Sequence, residues 1–257
     1  MGEARGGMRE VLYGRNAVRE SLRAGRRKPY RLMLAEGVRQ TGTVGEILFL
    51  AEQAGLPVSR TERRDLDRLG GVNHQGIVLE TSEYPYGELD DVLTVARSRD
   101  KAPMFLLLDL LKDPQNVGSL LRTAEAVGVH GVIIQRRRAV GITPAVINAS
   151  AGAVEHLLVA QVTNLVDSIT RLKTHDVWVA GLEAVRGAQQ YDLADLSGPL
   201  ALVVGSEGEG LRRLVRERCD FLLYLPMRGQ VTSLNAAVAG SIVLYEAHRQ
   251  RISRAPM

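Results

Sequence analysis

Three loops in the second half of the chain combine polar side chains with glycines or small residues. In the first, an apolar run at 104–108 leads through Asp113 to Asn116, at the start of a helix predicted over 118–127. The apolar stripe of this helix leaves Arg122 on another face, so its guanidinium projects towards a ligand or a neighbour. Asn116 is equally explained as a helix N-cap, and a residue such as Arg122 is more often a solvated surface arginine.

The second loop is rich in glycine and follows another apolar run. Its glycines, Gly205, Gly208 and Gly210, have a spacing that matches neither the dinucleotide fingerprint nor the P-loop. Glu207 and Glu209 lie among them, and carboxylates repel the phosphate that a helix N-terminus otherwise attracts. A cationic or mixed-charge ligand therefore fits better, with glycines that allow close backbone approach. The alternative is a tight turn with two acids at a helix N-terminus.

The third loop begins at Pro226 and ends where Ser233 and Asn235 open a long helix, predicted over 234–249. The first turns of this helix are rich in Ala, Gly and Ser, which let another backbone pack closely. Ser233 alone is explained as an N-cap. Ser233 and Asn235 together are more polar side chains at a helix N-terminus than capping requires.

These loops need elements that bring them together. Predicted strands and helices alternate along the second half, which favours a mostly parallel sheet with both faces covered, an ordinary doubly wound α/β fold. Ligands of such sheets bind at the carboxyl ends of the strands, where all three loops lie. The strands are predicted over 104–108, 131–134, 177–181, 200–205 and 221–225, with further helices over 165–173 and 211–217.

The first part of the chain predicts a separate, smaller α/β domain over 1–82. Residues 83–98 contain Tyr84-Pro85-Tyr86-Gly87 and four acids, which indicates an interdomain linker, and 99–257 form the second domain. The small domain is predicted to contain helices over 16–25, with Asn16 as N-cap, and 44–54, a helical turn over 65–69, strands over 30–34 and 76–80, and an extended piece at 57–59.

Composition excludes several classes of protein. Of the 257 residues, 45% are hydrophobic and 24% charged, as in globular proteins and unlike disordered ones. Cys219 is the only cysteine and the five histidines are widely spaced, so we assign no disulfide and no metal. The longest uncharged apolar run is far below the ~20 residues of a membrane span, and the N-terminus lacks a secretory h-region, so a cytoplasmic location is expected.

The basic residues outnumber the acidic ones by 33 to 29, a small surplus. Residues 1–82 carry 14 basic and 10 acidic residues, and Arg26, Arg27 and Lys28 form a run at the end of the first predicted helix. A basic surplus attracts polyanions such as nucleic acid, although a solvated surface explains it equally well.

The three loops, in this order, resemble the three signature motifs of the SpoU/TrmH family of RNA ribose 2′-O-methyltransferases, within the SPOUT superfamily. The segments YGRNAVRESL and VNHQGIVLE resemble the substrate-binding domain of the bacterial rRNA guanosine 2′-O-methyltransferase subgroup. The arginine run Arg136–Arg138 is not part of the family pattern. The matching positions are Asn116, Gly118 and Arg122 for motif one, Gly205, Glu207, Gly208 and Gly210 for motif two, and Leu225, Pro226, Ser233, Leu234 and Asn235 for motif three.

The resemblance implies a deep C-terminal trefoil knot that binds S-adenosylmethionine, a homodimer packed through the knot, and a ribosomal-protein-like N-terminal domain that binds RNA. It implies methylation of a ribose 2′-hydroxyl in structured RNA, with a guanosine of 23S rRNA favoured; a tRNA target, a non-catalytic RNA-binding module and an enzyme acting on a free nucleotide are the alternatives. The cofactor would be received by Gly205, Gly210, Leu225, Met227 and Leu234, and RNA phosphates by Arg26, Arg27 and Lys28.

The resemblance also assigns catalytic roles. The family's motif-one arginine corresponds to Arg122, and a side chain that stays protonated is a poor base. Arg122 is therefore expected to hold the adjacent phosphate and to stabilise the developing alkoxide. Asn116, Ser233 and Asn235 would orient the ribose and Arg122, while Glu207 would hold Arg122 or another catalytic polar group.

Overall fold

The computed structural model describes residues 9–68, 72–98 and 101–254, without the side chain of Arg254. Two compact units divide these residues. The first contains the described residues up to Pro85 together with Ile142–His156, and the second contains Tyr86–Gly141 and the residues from Leu157 onward. Leu69, the last residue of the helical turn predicted over 65–69, lies outside the described residues. No helix in the described ranges is long and apolar enough to cross a membrane.

The first unit is built on a four-stranded mixed sheet in the order β1-β4-β2-β3. β2 pairs in parallel with β3 and antiparallel with β4, which also pairs antiparallel with β1. The first helix ends as predicted, because Gly25 adopts the left-handed conformation that terminates helices. The elements are β1 (Arg9–Tyr13), α1 (Arg15–Ala24), β2 (Pro29–Ala35), α2 (Thr43–Gln53), β3 (Val58–Thr61), α3 (Arg63–Asp67) and β4 (Ile77–Ser82).

The second unit confirms the predicted parallel sheet. Its seven strands run in the order β7-β6-β5-β10-β8-β11-β9, and every paired neighbour is parallel. The central strands β5 and β10 are buried along their whole length, as continuous apolar runs in such sheets must be. The elements are α4 (Leu89–Ser98), β5 (Met104–Asp109), α5 (Pro114–Ala126), β6 (Gly131–Gln135), β7 (Val159–Val162), α7 (Leu165–Lys173), β8 (Trp178–Leu182), β9 (Gln189–Gln190), β10 (Leu200–Gly205), α8 (Arg213–Arg218), β11 (Phe221–Tyr224) and α9 (Ala236–Arg254).

The linker predicted over 83–98 is wrong for most of its length, because residues 89–98 form helix α4. Leu89, Val92, Leu93 and Ala96 are buried in the core of the second unit. Their spacing of three and four residues places them on one helical face, and Asp90 and Asp91 of the same helix are exposed. The chain leaves the first unit at Pro85 instead.

The second predicted domain is also not continuous. Residues 142–156 contain helix α6 (Pro144–Ala149) and a 3₁₀ turn (Ala153–His156), and both pack within the first unit. Asn148 donates from its side-chain amide to the backbone oxygen of Tyr13 at 3.1 Å. The predicted boundary of 1–82 therefore omits a segment that completes the small unit. The trefoil knot stays a prediction.

Three predicted helix caps differ from the structure. Gly14, not Asn16, precedes α1. Asp113 caps α5, because its carboxylate accepts hydrogen bonds from the backbone N–H groups of Gln115 and Asn116, each at 3.2 Å. Asn116 thus lies inside the first turn with its side chain available for other contacts. Ser233 precedes the start of α9 by three residues, so it is not the cap of that helix either.

Candidate active site at the carboxyl edge of the sheet

The three loops meet at one edge of the second unit because β5, β10 and β8 are neighbours in the sheet. Gly205, the last residue of β10, is in register with Asp109, the last residue of β5. The loop that leads into α5 and the glycine loop therefore leave the sheet side by side. The third loop follows β11, which pairs with β8.

Asn116, Glu207 and Asn235 form a closed triangle of hydrogen bonds, one residue from each loop. Asn116 Nδ2 donates to Glu207 Oε1 at 2.8 Å, and Asn235 Nδ2 donates to the same oxygen at 2.6 Å. Asn235 Nδ2 also donates to Asn116 Oδ1 at 2.8 Å. Motif residues far apart in sequence are thus joined directly, and Glu207 holds two amides rather than Arg122.

The triangle is fixed by the two helices that carry its amides. Asn235 Oδ1 accepts from the backbone N–H groups of Ala237 at 2.9 Å and Val238 at 3.2 Å, so Asn235 is the N-cap of α9. Both donors of its amide then point away from the helix, towards Glu207 and Asn116. The Asp113 cap orients the start of α5 in the same way.

The glycine loop needs glycine at its first position. A Cβ at Gly205 would lie 2.4 Å from the carbonyl carbon and oxygen of Gly210, backbone atoms that cannot move aside. Gly208 and Gly210 have φ values of +81° and +65°, in the left-handed region that disfavours side chains. The loop closes tightly, with the N–H of Gly210 donating to the oxygen of Ser206 at 3.0 Å. This turn exposes its backbone to the space beside it.

A cavity of about 540 Å³ opens beside the glycine loop, within the size range of small-molecule sites. All five residues predicted to receive a cofactor line it: Gly205, Gly210, Leu225, Met227 and Leu234. Glu183, Glu207 and Glu209 also line it, whereas no Lys or Arg does so among the described residues. Arg216 Nη2 pairs with Glu183 Oε1 at 2.6 Å, which leaves Glu207 and Glu209 to set the charge of the cavity. These groups disfavour a phosphate and favour a positively charged ligand.

Ser233 and Arg122 take no part in the hydrogen bonds of the triangle. Ser233 lines the cavity, but its hydroxyl makes no hydrogen bond with any described residue. Arg122 is exposed, does not line the cavity and makes no ion pair within the described ranges. It lies six residues after Asn116, which is about 9 Å along the α5 axis and about a third of a turn away. A single chain therefore does not bring Arg122 to the cavity.

Two residues at this edge have no counterpart among the predicted site residues. Asp109 is 1% exposed and accepts hydrogen bonds from Arg212, from its backbone N at 2.9 Å and from Nε at 2.7 Å. Glu183 follows β8 directly and lines the cavity. Both are acids at the end of a buried strand, and that position is the signal that could have identified them.

The RNA-binding prediction for Arg27 must be corrected, because its side chain is enclosed in the first unit. Arg27 Nε lies 3.0 Å from Glu155 Oε1, and its Nη1 lies 2.6 Å from Glu10 Oε2. The side chains of Arg27 and Glu155 are 1% and 0% exposed. Burial raises the pKa of Glu155, and Arg27 opposes this by favouring the charged form. Arg27 thus serves the fold and cannot reach a phosphate.

The neighbours of Arg27 are less enclosed. Arg26 donates to the Tyr84 hydroxyl at 3.1 Å and to the backbone oxygen of Pro85 at 3.2 Å, so much of its donor capacity is used within the unit. Burial raises the pKa of Tyr84 to about 12, so this hydroxyl stays protonated. Lys28 is exposed, and its contact with RNA stays a prediction.

No group of three or more His, Cys, Asp or Glu in the described ranges is arranged to hold a metal ion. Cys219 is partly buried, and burial raises the pKa of its thiol to about 12, which keeps it protonated and unreactive.

Comparison with known proteins agrees with the geometry. The model of the "SpoU rRNA Methylase family" matches residues 103–245, and that of "RNA 2'-O ribose methyltransferase substrate binding" matches residues 11–87. The chain is 45% identical over 244 residues to YacO of Bacillus subtilis (strain 168), named for the TrmH family of tRNA/rRNA methyltransferases, covering 94% of this chain and 96% of that protein.

Solved structures show the same fold over nearly the whole chain. The SpoU methyltransferase AviRb from Streptomyces viridochromogenes, crystallised with AdoMet, superposes with a TM-score of 0.79 at 23% identity, covering 95% of this chain and 91% of that one. A crystal structure of an RNA 2'-O ribose methyltransferase gives a TM-score of 0.76 at 25% identity, with 95% and 89% covered. Since the family model spans more than half of its residues and includes all three loops, the chain belongs to the SpoU rRNA methylase family of RNA methyltransferases.

Proposed function

We propose that this protein transfers the methyl group of S-adenosylmethionine to a ribose 2′-hydroxyl in structured RNA. The observation that carries the proposal is a cavity that opens beside the Asn116–Glu207–Asn235 triangle. Carboxylates line this cavity, and none of the described residues that line it is basic. The names of similar proteins support it: AviRb was crystallised with AdoMet, and another neighbour is an RNA 2'-O ribose methyltransferase.

The residues present suit this cofactor. S-adenosylmethionine supplies a methyl group activated by its sulfonium, which is transferred by in-line displacement. The backbone of the glycine loop lines the cavity at Gly205 and Gly210 and accepts a flat group closely, and Leu225, Met227 and Leu234 provide apolar walls for the adenosine. The carboxylate of Glu207 favours positive charge at the end of the cavity next to the triangle.

On the substrate side, the chain must position the hydroxyl and assist its deprotonation. Both amide donors of Asn235, and one of Asn116, are held by Glu207 and by each other, so the triangle is a rigid support beside the ribose. Ser233 offers an unengaged hydroxyl to the same space. Asn116, Ser233, Asn235 and Glu207 would thus orient the ribose.

The remaining member of the predicted set, Arg122, can act at a cavity only if that cavity belongs to a second subunit. Exposed Val238, Tyr245 and Ile252 recur every seven residues on α9, so they share one face, and α9 packs beside α5 through a 2.8 Å hydrogen bond between Thr123 and Ser241. An exposed apolar face of this kind marks an interface. We propose a homodimer through α5 and α9, in which Arg122 holds the RNA phosphate at the partner's site.

Mixed dimers test this arrangement. Arg122→Ala and Asn235→Ala should each retain at most about a tenth of wild-type activity alone, and mixing the two should restore roughly a quarter of it, because half of the dimers then contain one intact site. If Arg122 acted in its own chain, the mixture would stay at the low activity of the two variants. Sedimentation of Tyr245→Glu, which places a charge on the apolar face, should show a monomer.

For the target, we propose a guanosine of 23S rRNA, because the N-terminal segments resemble the rRNA subgroup. The test is transfer of a labelled methyl group to total RNA from a strain that lacks the enzyme, followed by mapping of the modified ribose. Label in tRNA would favour the alternative target. Binding of RNA without transfer would identify a non-catalytic module instead.

A further inference from the structure

Four exposed basic side chains stand together at the carboxyl edge of the second unit. Lys112 follows β5, and Arg136, Arg137 and Arg138 follow the neighbouring strand β6. None of the four makes a side-chain hydrogen bond or ion pair with a described residue. Some exposed arginines of this unit are paired with acids, as in Arg213–Glu217 and Arg249–Glu246, and others, such as Arg122, are not. We call Lys112 and Arg136–Arg138 the basic edge.

Two backbone hydrogen bonds anchor the loop that carries the three arginines. The N–H of Arg136 donates to the oxygen of Val162 at 2.9 Å, and the N–H of Val140 donates to the oxygen of Leu111 at 3.0 Å. The second bond ties the loop after β6 to the loop that bears Lys112. Arg138 has a φ of +65°, which is uncommon for a residue other than glycine and costs energy, so the turn is maintained by its surroundings.

The basic edge lies close to the proposed site. β6 neighbours β5, and β5 neighbours β10, so at about 4.8 Å per strand the end of β6 is roughly 10 Å from Gly205. Arg212 connects the two places, since its Nε donates to Asp109 Oδ1 at 2.7 Å and its Nη2 donates to Gln135 Oε1 at 3.0 Å, next to Arg136. The cations therefore flank the site on the same edge of the sheet.

We propose that the basic edge binds the phosphates of the RNA strand adjacent to the target nucleotide. This inference rests on the proposed function and gives a role to residues outside the three motifs. The cavity is lined by carboxylates and, in the described part of the chain, by no basic side chain, so the backbone of an entering RNA must be bound outside it. Arginines without acidic partners suit that task, because their planar guanidinium groups bind phosphate with two parallel hydrogen bonds.

The test compares the triple variant Arg136→Ala, Arg137→Ala, Arg138→Ala with wild type on the rRNA and tRNA fractions of unmodified total RNA. We expect the KM for RNA to rise about tenfold or more, with kcat and cofactor affinity within about twofold. The slope of log affinity against log salt should become shallower by about 2, at roughly 0.7 per phosphate contact for three contacts. A Lys triple variant should retain the wild-type slope, since the charge remains.

A matched control removes three arginines from the opposite edge. Arg97, Arg171 and Arg218 are exposed and lie in the last turns of α4, α7 and α8, which precede strands. Their triple alanine variant lowers the net charge equally and should change the slope by less than about 0.5. The double variant Arg136→Ala, Arg137→Ala keeps Arg138, whose conformation shapes the loop, and should show about two thirds of the change in slope. Because the loop is then unaltered, this variant controls for misfolding.

Equal effects of the two triple variants would overturn the proposal, because net charge alone would then explain binding. A fall in kcat without a change in KM would also overturn it. If wild type transfers no methyl group to either RNA fraction, the proposed function fails, whereas filter binding of RNA by the same variants still decides whether the basic edge binds phosphate.

Discussion

The Asn235 side chain performs two tasks that substitutions can separate. Its Oδ1 caps α9, and its Nδ2 donates to Glu207 at 2.6 Å and to Asn116 at 2.8 Å. Asn235→Ala removes both. Loss of the cap costs about 1 kcal/mol, and loss of the donors adds up to about 1 kcal/mol, since the exposed triangle can bond water instead. We expect the free energy of unfolding to fall by about 1–2 kcal/mol.

Asn235→Ser is the matched variant, because its hydroxyl can still cap α9 but cannot donate to both Glu207 and Asn116. We expect its free energy of unfolding to fall by no more than about 1 kcal/mol, because the cap is kept and only the donors are lost. Methyl transfer should nevertheless fall about 10- to 100-fold in both variants, which corresponds to about 1.4–2.8 kcal/mol of lost transition-state stabilisation. Denaturant unfolding and initial rates with labelled cofactor measure the two quantities.

The comparison can refute the proposed role of the triangle. If Asn235→Ser turns over as fast as wild type, its amide donors are not needed. If the rate follows stability across the Ala and Ser variants, Asn235 supports the fold only. Glu207→Gln adds an independent control, because it keeps an acceptor at Oε1 but removes the charge. Its cofactor affinity should fall if the carboxylate serves a cationic ligand.

Three further predictions concern the fold and the cofactor. Arg27→Ala should lower the free energy of unfolding by about 3–5 kcal/mol, because it leaves the Glu155 carboxylate buried without its main partner; thermal unfolding measures this, and a loss of RNA affinity alone would contradict it. Arg251 donates to four backbone oxygens ahead of β5 and β10, and burial lowers its pKa to about 10. Arg251→Ala should therefore cost about 2–3 kcal/mol in denaturant unfolding, whereas the control Arg249→Ala, which loses only its ion pair with Glu246, should leave the free energy of unfolding nearly unchanged. Binding of S-adenosylmethionine, measured by calorimetry, should be unchanged by EDTA, and restoration of lost binding by a divalent ion would refute this.

Much of the second unit follows from local sequence pattern. The apolar runs that became β5 and β10 are bounded by polar residues and glycine, and α7 begins and ends as predicted. Such patterns succeed because burial on both faces demands continuous apolar residues. Helix α4 shows how a local reading fails. Its acids and the preceding Tyr-Pro-Tyr-Gly suggested a linker, although its apolar spacing of three and four residues is helical.

The sequence by itself determined which residue types are available and which loops carry them: Asn116, Glu207, Asn235 and the glycines were identifiable from spacing and resemblance. Only the tertiary structure decided their partners. Asn116 and Glu207 are 91 residues apart, and Arg27 and Glu155 are 128 residues apart. Asn116 and Glu207 form part of the proposed site. Arg27 and Glu155 form a buried ion pair, so Arg27 is not available to bind RNA. Sequence pattern reports contacts within a turn or a strand, whereas burial and charge pairing arise between distant segments, so the role of each arginine depended on packing.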